Sequence, residues 1–378
     1  MSESKPIGGK IVTKPFLVLA LIAAIAGILI IKRFIYGIGA VTNLSDGYPW
    51  GIWIAYDVVV GTAFACGGYS MALLVYIFNK GEYHPLVKPA VLASMFGYTL
   101  AGVSILFDIG RYWQAYNLFL PWYSQVNSVM LEVALCISLY IFILWLEFSP
   151  TLAEWLNAKG LKQTMNRIMF VLIAIGVLLP TMHQSSLGSL MIIAGHKLSP
   201  LWQTGFIPLL FLISAITMGY SMVIFESIIS SLSFKREIET PVLSGISRLV
   251  PLLIGFYLVV RFGDLIWRGK LGLAFAFDLK SVMFLIENAL YIIPLIILSS
   301  AHNRKRPQKL FVAAVSLLLA GSLYRFNAFL IGFDPGPGWH YFPAFSEIMI
   351  TLGIISIEIM AYLVFVKKMP VLPSLKHT

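Results

Sequence analysis

Six residues set among apolar neighbours could carry proton or carbonyl chemistry: Tyr98, Asp108, Arg111, Glu132, His183 and Glu226. Glu132 has no opposite charge on its own apolar stretch. A carboxyl so placed suits proton exchange, the alternative being a hydrogen-bonded structural acid. Asp108 and Arg111 stand three apart and share one helical face, so they can pair, either to close the end of a bundle or to stabilise a developing negative charge. His183 ends the apolar part of LLPTMHQSSLGSL and is followed by Gln184, Ser185 and Ser186. That cluster offers hydrogen bonds to a ring carbonyl such as a quinone oxygen, or it caps a helix in water. Tyr98 relays a proton or packs in a core. Glu226 opens a proton entrance or snorkels to water.

The elements that position these residues are membrane spans. The chain has 378 residues, of which 59% are hydrophobic and 12% charged, with a mean hydropathy of +0.86. A hydrocarbon slab roughly 30 Å thick takes about 20 helical residues to cross. Ten apolar runs meet that length approximately: Pro15–Ile31, Gly51–Phe78, Pro89–Trp113, Gln125–Phe148, Arg167–His183, Gly205–Ile228, Ile246–Trp267, Lys280–Ala301, Lys309–Phe326 and Tyr341–Val366. The expected fold is an all-α polytopic membrane protein. The first run follows Lys5, Lys10 and Lys14 but lacks a small-residue cleavage site, so it reads as a retained span rather than a signal peptide.

Basic residues orient the spans. Eighteen Lys and Arg residues, from Lys5 to Lys376, fall on the side of the N-terminus. The opposite side holds Lys32, Arg33, Arg111, Lys197, Arg268, Lys270, Lys280 and Arg325, with Arg261 deeper in a helix. Both termini are expected in the cytoplasm. The net charge of +10 then forms a skirt facing anionic lipid. Nothing suggests the basic, aromatic-lined groove of a nucleic-acid binder.

An internal repeat divides the chain. Gly68-Tyr69-Ser70-Met71 recurs as Gly219-Tyr220-Ser221-Met222, and Ser128-Val129-Met130 before Glu132 recurs as Ser281-Val282-Met283 before Glu287. More loosely, the Phe107–Trp113 segment matches Arg261–Trp267. Partners lie four helices apart, so the copies run parallel. The expected units are 1–50 with the first helix, 51–200 and 201–335 as tandem four-helix bundles (helices two to five and six to nine), and 336–378 with the last helix. Asp57, Asp108, Arg111, Glu132 and His183 are expected to converge near the outer face of the first bundle. Arg261, Asp264 and Glu287 repeat the theme in the second. Glu347 and Glu358 share roughly one face of the last helix and read as structural or interface acids.

Cys66 and Cys136 are the two cysteines, too few for an iron–sulfur cluster or a Cys-rich zinc site. No GxGxxG, P-loop or CxxCH occurs. A bis-histidine haem needs two imidazoles at one depth, yet His84, His196, His302, His340 and His377 fall in loops, at a helix margin or in the tail, which leaves His183 without a mate. Redox chemistry would therefore use a partner's centres or a diffusible carrier. Parallel repeats and intramembrane acids also suit a secondary transporter.

The motifs PWGIWIAYD, GTAFACGGY, HPLVKPA, DIGRYW, NSVMLE, LLPTMHQSSLGSLM and RFGDLIWR run nearly the length of the chain. They resemble the integral membrane subunits of hydrogenase-2-type nickel–iron hydrogenases, within the wider NrfD and polysulfide-reductase membrane-subunit family. The resemblance implies a quinone-reactive anchor in a bacterial cytoplasmic membrane. Its partners would be a periplasmic ferredoxin-like iron–sulfur subunit and the hydrogenase small and large subunits, and menaquinone its substrate, with neither haem nor iron–sulfur cluster in this chain. Tyr98, Glu132, His183 and Glu226 match family positions implicated in quinone or proton chemistry. On this reading His183, Asp108, Arg111 and Glu132 border the quinone, and Glu132, Tyr98 and Glu226 move protons. A membrane anchor of another reductase complex shares the same resemblance.

Overall fold

Ten helices long and apolar enough to cross a membrane account for most of the computed structural model, which describes residues 5–373. They are α1 (Lys14–Tyr36), α2 (Trp53–Ile77), α3 (Gly81–Asp108), α4 (Val129–Trp155), α5 (Lys159–Lys197), α6 (Ile207–Ser233), α7 (Thr240–Trp267), α8 (Leu279–Ser299), α9 (Pro307–Ile331) and α10 (Phe345–Lys368). No β-strand forms among the described residues beyond an isolated bridge between Leu198 and Phe333. Lys376 and His377 lie outside the described residues. With the backbone polar groups satisfied inside each helix, an all-helical chain is what a lipid environment demands.

The N-terminal segment pairs with the end of α10, where Ile7 N and Gly8 N donate to Val366 O and Lys367 O. Successive helices alternate in direction, so this terminal end also holds the α2–α3, α4–α5, α6–α7 and α8–α9 connections. Neighbours in sequence are neighbours in space: α2 packs on α3, α3 on α4 and α4 on α5, and the same order holds from α6 through α9. α5 crosses to α6 and α9 crosses to α2, while α1 packs against α10 at the periphery. α2 and α6 are the central pair, with 78% and 72% of their apolar windows buried against 6% for α1.

The repeated Gly-Tyr-Ser-Met motif is where that central pair touches. A methyl added to Gly219 would stand 2.8 Å from the Cys66 carbonyl carbon, and Ser70 Oγ donates to Ile216 O at 3.0 Å. Small residues at a crossing let two backbones approach, the main source of helix association when lipid is as apolar as the side chains.

Several spans outrun their sequence boundaries, and in two of them the extension carries a polar run. The fifth continues through His183 and the polar QSSLGS run to the residues before Leu198. The ninth continues past Phe326 in a π-helical turn, Asn327–Ile331. Both extensions carry polar side chains whose partners lie on other helices, so hydropathy alone ends the helix too early. Another π-helical turn, Trp53–Val60, opens α2. Such turns loosen the regular ladder and present backbone carbonyls to side chains.

Candidate functional site

Pro180 interrupts the α5 ladder one residue after Leu179. One turn beyond Leu179, His183 folds its ring back so that Nδ1 donates to Leu179 O at 2.9 Å. The opposite nitrogen, Nε2, faces Tyr98 Oη of α3 at 2.9 Å and Gln184 Nε2 at 3.2 Å. Gln184 has its amide orientation fixed from the far side, because Arg325 Nη2 donates to Gln184 Oε1 at 2.9 Å. The Gln184 NH₂ therefore points at His183 and also donates to Thr62 Oγ1 at 3.1 Å. Two lines of bonding assign the same neutral tautomer: a proton on Nδ1, held by Leu179, and an Nε2 lone pair that accepts. Tyr98 is the donor in the Tyr98–His183 bond. Its hydroxyl also touches Cys66 Sγ at 3.5 Å, and its ring meets Tyr140 edge-on at 4.6 Å. All of Tyr98, His183, Gln184 and Arg325 are fully buried.

Arg325 is the residue that sequence reasoning missed. The ninth apolar run stops beside it, which puts its charge among the outer-surface residues; it is instead 0% exposed. Its Nε donates to Val59 O at 3.1 Å, at the end of the π-helical turn of α2. Its Nη1 and Nη2 donate to Ser214 Oγ at 2.6 Å and to Phe211 O at 3.0 Å, both on α6. One guanidinium thus ties α9 to α2, α5 and α6 with neutral acceptors. The signal available in sequence was an arginine followed by the further apolar run NAFLIGF. Arg33, also expected as an outer charge, is 1% exposed and closes the end of α3 by donating to Phe107 O at 2.7 Å and Ile109 O at 2.6 Å.

The expected outer cluster separates into two levels. At the deeper level stand His183 and Tyr98, and His183 lies well inside α5, not at its end. Tyr98 is ten residues before Asp108 on α3, about 15 Å along the axis at 1.5 Å per residue. Nearer the end of the molecule remote from the termini, Glu132 occupies the first turn of α4, where the helix dipole favours a carboxylate. Ser128 caps that turn, accepting from Leu131 N at 3.4 Å. Ser186, three residues after His183, donates to Glu132 Oε1 at 2.8 Å. Asp57 accepts from Thr351 of α10 at 3.2 Å.

Asp108 and Arg111 do not form the expected pair. The α-helix stops at Asp108 and Ile109 turns extended, which ends the three-residue spacing on one face. Arg111 is exposed in the connection to α4, while Asp108 Oδ1 is buried without a hydrogen-bond partner among the described residues. Glu226 lies seven residues before the end of α6, at the terminal end. It accepts a bond from Tyr362 Oη of α10.

The second half holds a different arrangement. Arg261 Nη2 and Glu287 Oε1 form a buried ion pair at 2.8 Å, and Glu287 Oε2 accepts from Trp202 Nε1 and Asn327 Nδ2, each at 2.8 Å. The guanidinium lies over the rings of Tyr324 and Phe284, at 4.7 and 5.0 Å. Asp264 pairs with Arg268 at 2.6 Å. Glu347 is structural, as expected: it accepts from Asn43 N, Ala344 N and Tyr341 Oη at 2.9, 2.8 and 2.6 Å. Asp278 caps α8 outside the span, accepting from Ser281 N at 2.7 Å. That bond holds its carboxyl below the usual range.

The residues present do not suit a haem. Both His183 nitrogens are engaged, and His84, His196, His302 and His340 lie at helix margins or in loops. No group of three or more His, Cys, Asp or Glu side chains could hold a metal ion among the described residues.

Comparison with known proteins gives these residues a family. The chain is 46% identical over 378 residues, 99% of its length and 96% of the relative's, to the "Probable Ni/Fe-hydrogenase 2 b-type cytochrome subunit" of Escherichia coli (strain K12). That name is at odds with the expected lack of haem. The chain is 25% identical over 375 residues, covering 89% and 86% of the two chains, to the "Menaquinone reductase, integral membrane subunit" of Nitratidesulfovibrio vulgaris (Hildenborough). It is 22% identical over 287 residues, 66% and 63% of the two chains, to a selenate reductase subunit of Mesobacillus selenatarsenatis. The family described as "Polysulphide reductase, NrfD" matches residues 40–332. The chain belongs to the NrfD family of multi-pass membrane proteins.

Proposed function

We propose that this chain is the quinone-reactive membrane subunit of a hydrogen-oxidising nickel–iron complex in a bacterial cytoplasmic membrane, with both termini in the cytoplasm. The observation that carries this reading is the polar line on α5. Ser186 engages Glu132 at 2.8 Å, and one turn deeper His183 engages Tyr98 at 2.9 Å. This gives a carboxyl beside a hydroxyl near the outer end and a donor–acceptor pair beneath it. Electrons would arrive from a periplasmic ferredoxin-like subunit served by the hydrogenase small and large subunits. Menaquinone would be the acceptor, as the name of one relative suggests for that protein. The 51–200 unit then carries the quinone site and the 201–335 unit supports it.

The reaction at the ring is quinone + 2 e⁻ + 2 H⁺ → quinol. The head group sits beside Glu132 and Ser186, with Asp108 and Arg111 at the mouth of the site and His183 below. Glu132 delivers a proton to a ring oxygen as negative charge develops there. Tyr98, already donating to His183, gives its proton to the imidazole Nε2, which releases it from the same nitrogen towards Glu132 while Nδ1 stays bound to Leu179 O, and Glu226 receives protons from the terminal end. No haem takes part, because His183 has no free nitrogen and no mate at its depth.

Glu132→Gln tests the reading. A complex carrying it should assemble and oxidise hydrogen with an artificial dye, yet reduce menaquinone about 100-fold more slowly, the size of a lost acid–base contribution. Unchanged menaquinone turnover would sink the role given to Glu132. A second reading is favoured by the relatives named for menaquinone and selenate reductases: the same site serving another catalytic partner. Copurification separates the two. A nickel–iron protein brought down with this chain supports the hydrogenase, and a molybdenum or multihaem protein supports the other.

A further inference from the structure

The proposed proton route has a gap between Glu226, near the terminal end, and Tyr98, deeper in the molecule. A carboxyl expected from sequence to be structural stands in it. Glu358 lies on α10, one turn before Tyr362, so the two side chains share a helix face. Unlike Glu347, which is bonded on both oxygens, Glu358 makes no hydrogen bond or ion pair among the described residues. It reaches towards α3 at the residue next to Tyr98: a methyl added to Gly97 would stand 3.2 Å from Glu358 Oε1 and 2.7 Å from Ala65 Cβ. Ala65 and Gly97 precede Cys66 and Tyr98, which touch each other. Gly97 therefore leaves room for a carboxyl at the level of the buried Tyr98 site.

The other end of this carboxyl's helix face is connected. Tyr362 Oη donates to Glu226. Glu226 borders a cavity at the terminal end that is also lined by Ser230, Arg236, Glu237 and Glu239. Arg236 donates to Pro373 O at its rim. A second, small cavity between α2, α3 and α6 is lined by Glu226, Gly67, Ala90 and Ser94, the last one turn from Tyr98. Tyr362 and Glu226 thus join the terminal-end cavity to the face of α10 that carries Glu358, and Glu358 reaches the α3 residue beside Tyr98.

We propose that Glu358 is a proton-relay residue, linked through Tyr362 to Glu226 and the terminal-end cavity, that resupplies the Tyr98–His183 pair. This rests on the quinone reading above. A proton taken up from water in the cavity neutralises the Glu226 carboxylate. The Tyr362 hydroxyl gives its proton to Glu358 and takes one from Glu226, and Glu358 releases its proton towards Tyr98. No electrons move in these steps, and two such transfers balance the two protons that the quinone gains with its two electrons.

The test uses the whole complex, purified by a tag on this chain, with hydrogen as donor and either a dye or menaquinone as acceptor. Glu358→Gln and Tyr362→Phe should each leave dye reduction unchanged and slow menaquinone reduction about 100-fold, with a larger slowing in D₂O than the unmodified complex shows. Glu358→Asp should recover much of the rate. Because the residues act in series, the double variant should be no slower than the slower single one. Menaquinone turnover undiminished in Glu358→Gln overturns the relay, as do multiplied losses in the double variant. Loss of dye activity or of partner subunits in both Glu358→Gln and Glu358→Asp overturns it too, by assigning a structural role. If the unmodified complex reduces the dye but not menaquinone, the quinone reading itself fails, a result distinct from all of these.

Discussion

His183 is a hydrogen-bond acceptor fixed from both sides, and the consequences begin with that single ring. Its Nδ1 proton is committed to Leu179 O and its Nε2 lone pair to Tyr98 and Gln184. Tyr98→Phe removes one donor and nothing of the packing, since the ring still meets Tyr140 and His183 edge-on. It should leave dye-linked hydrogen oxidation intact and lower menaquinone reduction by about 10²-fold, measured on the same preparation. Equal rates with menaquinone would show that the hydroxyl carries no proton. Tyr98, Glu132, His183 and Glu226 were legible in sequence because polar types inside apolar runs need a reason. The bonding of the site was not. Arg325 was hidden because its acceptors, Val59 O, Phe211 O, Ser214 and Gln184, lie 111 to 266 residues away. The Asp108–Arg111 pair failed because helical spacing holds only while the helix lasts.

Among the elements, α5 and the α2–α6 crossing decide what the site can be. α5 stays helical through Pro180 and the polar QSSLGS run, so His183 lies about one turn below Glu132's partner Ser186 and not at a helix cap. Hydropathy reads such a run as the edge of a span, whereas here its polar side chains meet α2, α4 and α9. The ten spans and the repeated Gly-Tyr-Ser-Met motif were readable, because length and apolar character mark a span and repetition survives in small residues. That both copies of the motif lie in the central helices at their crossing required coordinates. Gly219→Ala forces the backbones of α2 and α6 apart at Cys66. It should cost about 1–3 kcal/mol, seen as a lower Tm of the detergent-purified chain. An unchanged Tm would mean that the crossing is looser than the structure has it.

At the scale of the whole molecule, the two halves share a helix order but hold different chemistry. The first buries a hydrogen-bonded group of Tyr98, His183 and Gln184 held by Arg325; the second buries the Arg261–Glu287 ion pair, stitched to Trp202 and Asn327. Removing one partner strands a charge in a low-dielectric interior, so Arg261→Leu should destabilise by about 3–5 kcal/mol, while Arg261→Leu with Glu287→Leu should recover much of that loss. Thermal unfolding of the single and double variants measures the difference. A double variant as unstable as the single one would show that the pair's other bonds, not its charges, set the cost.

The central claim, that a quinone is reduced in the first half beside Glu132 and above His183, is tested most directly by a structure of the purified complex with a menaquinone analogue bound. The account predicts a ring oxygen within hydrogen-bond distance of Glu132 or Ser186, with the ring between α4 and α5. A head group seated instead against Arg261 and Glu287 in the second half would contradict it.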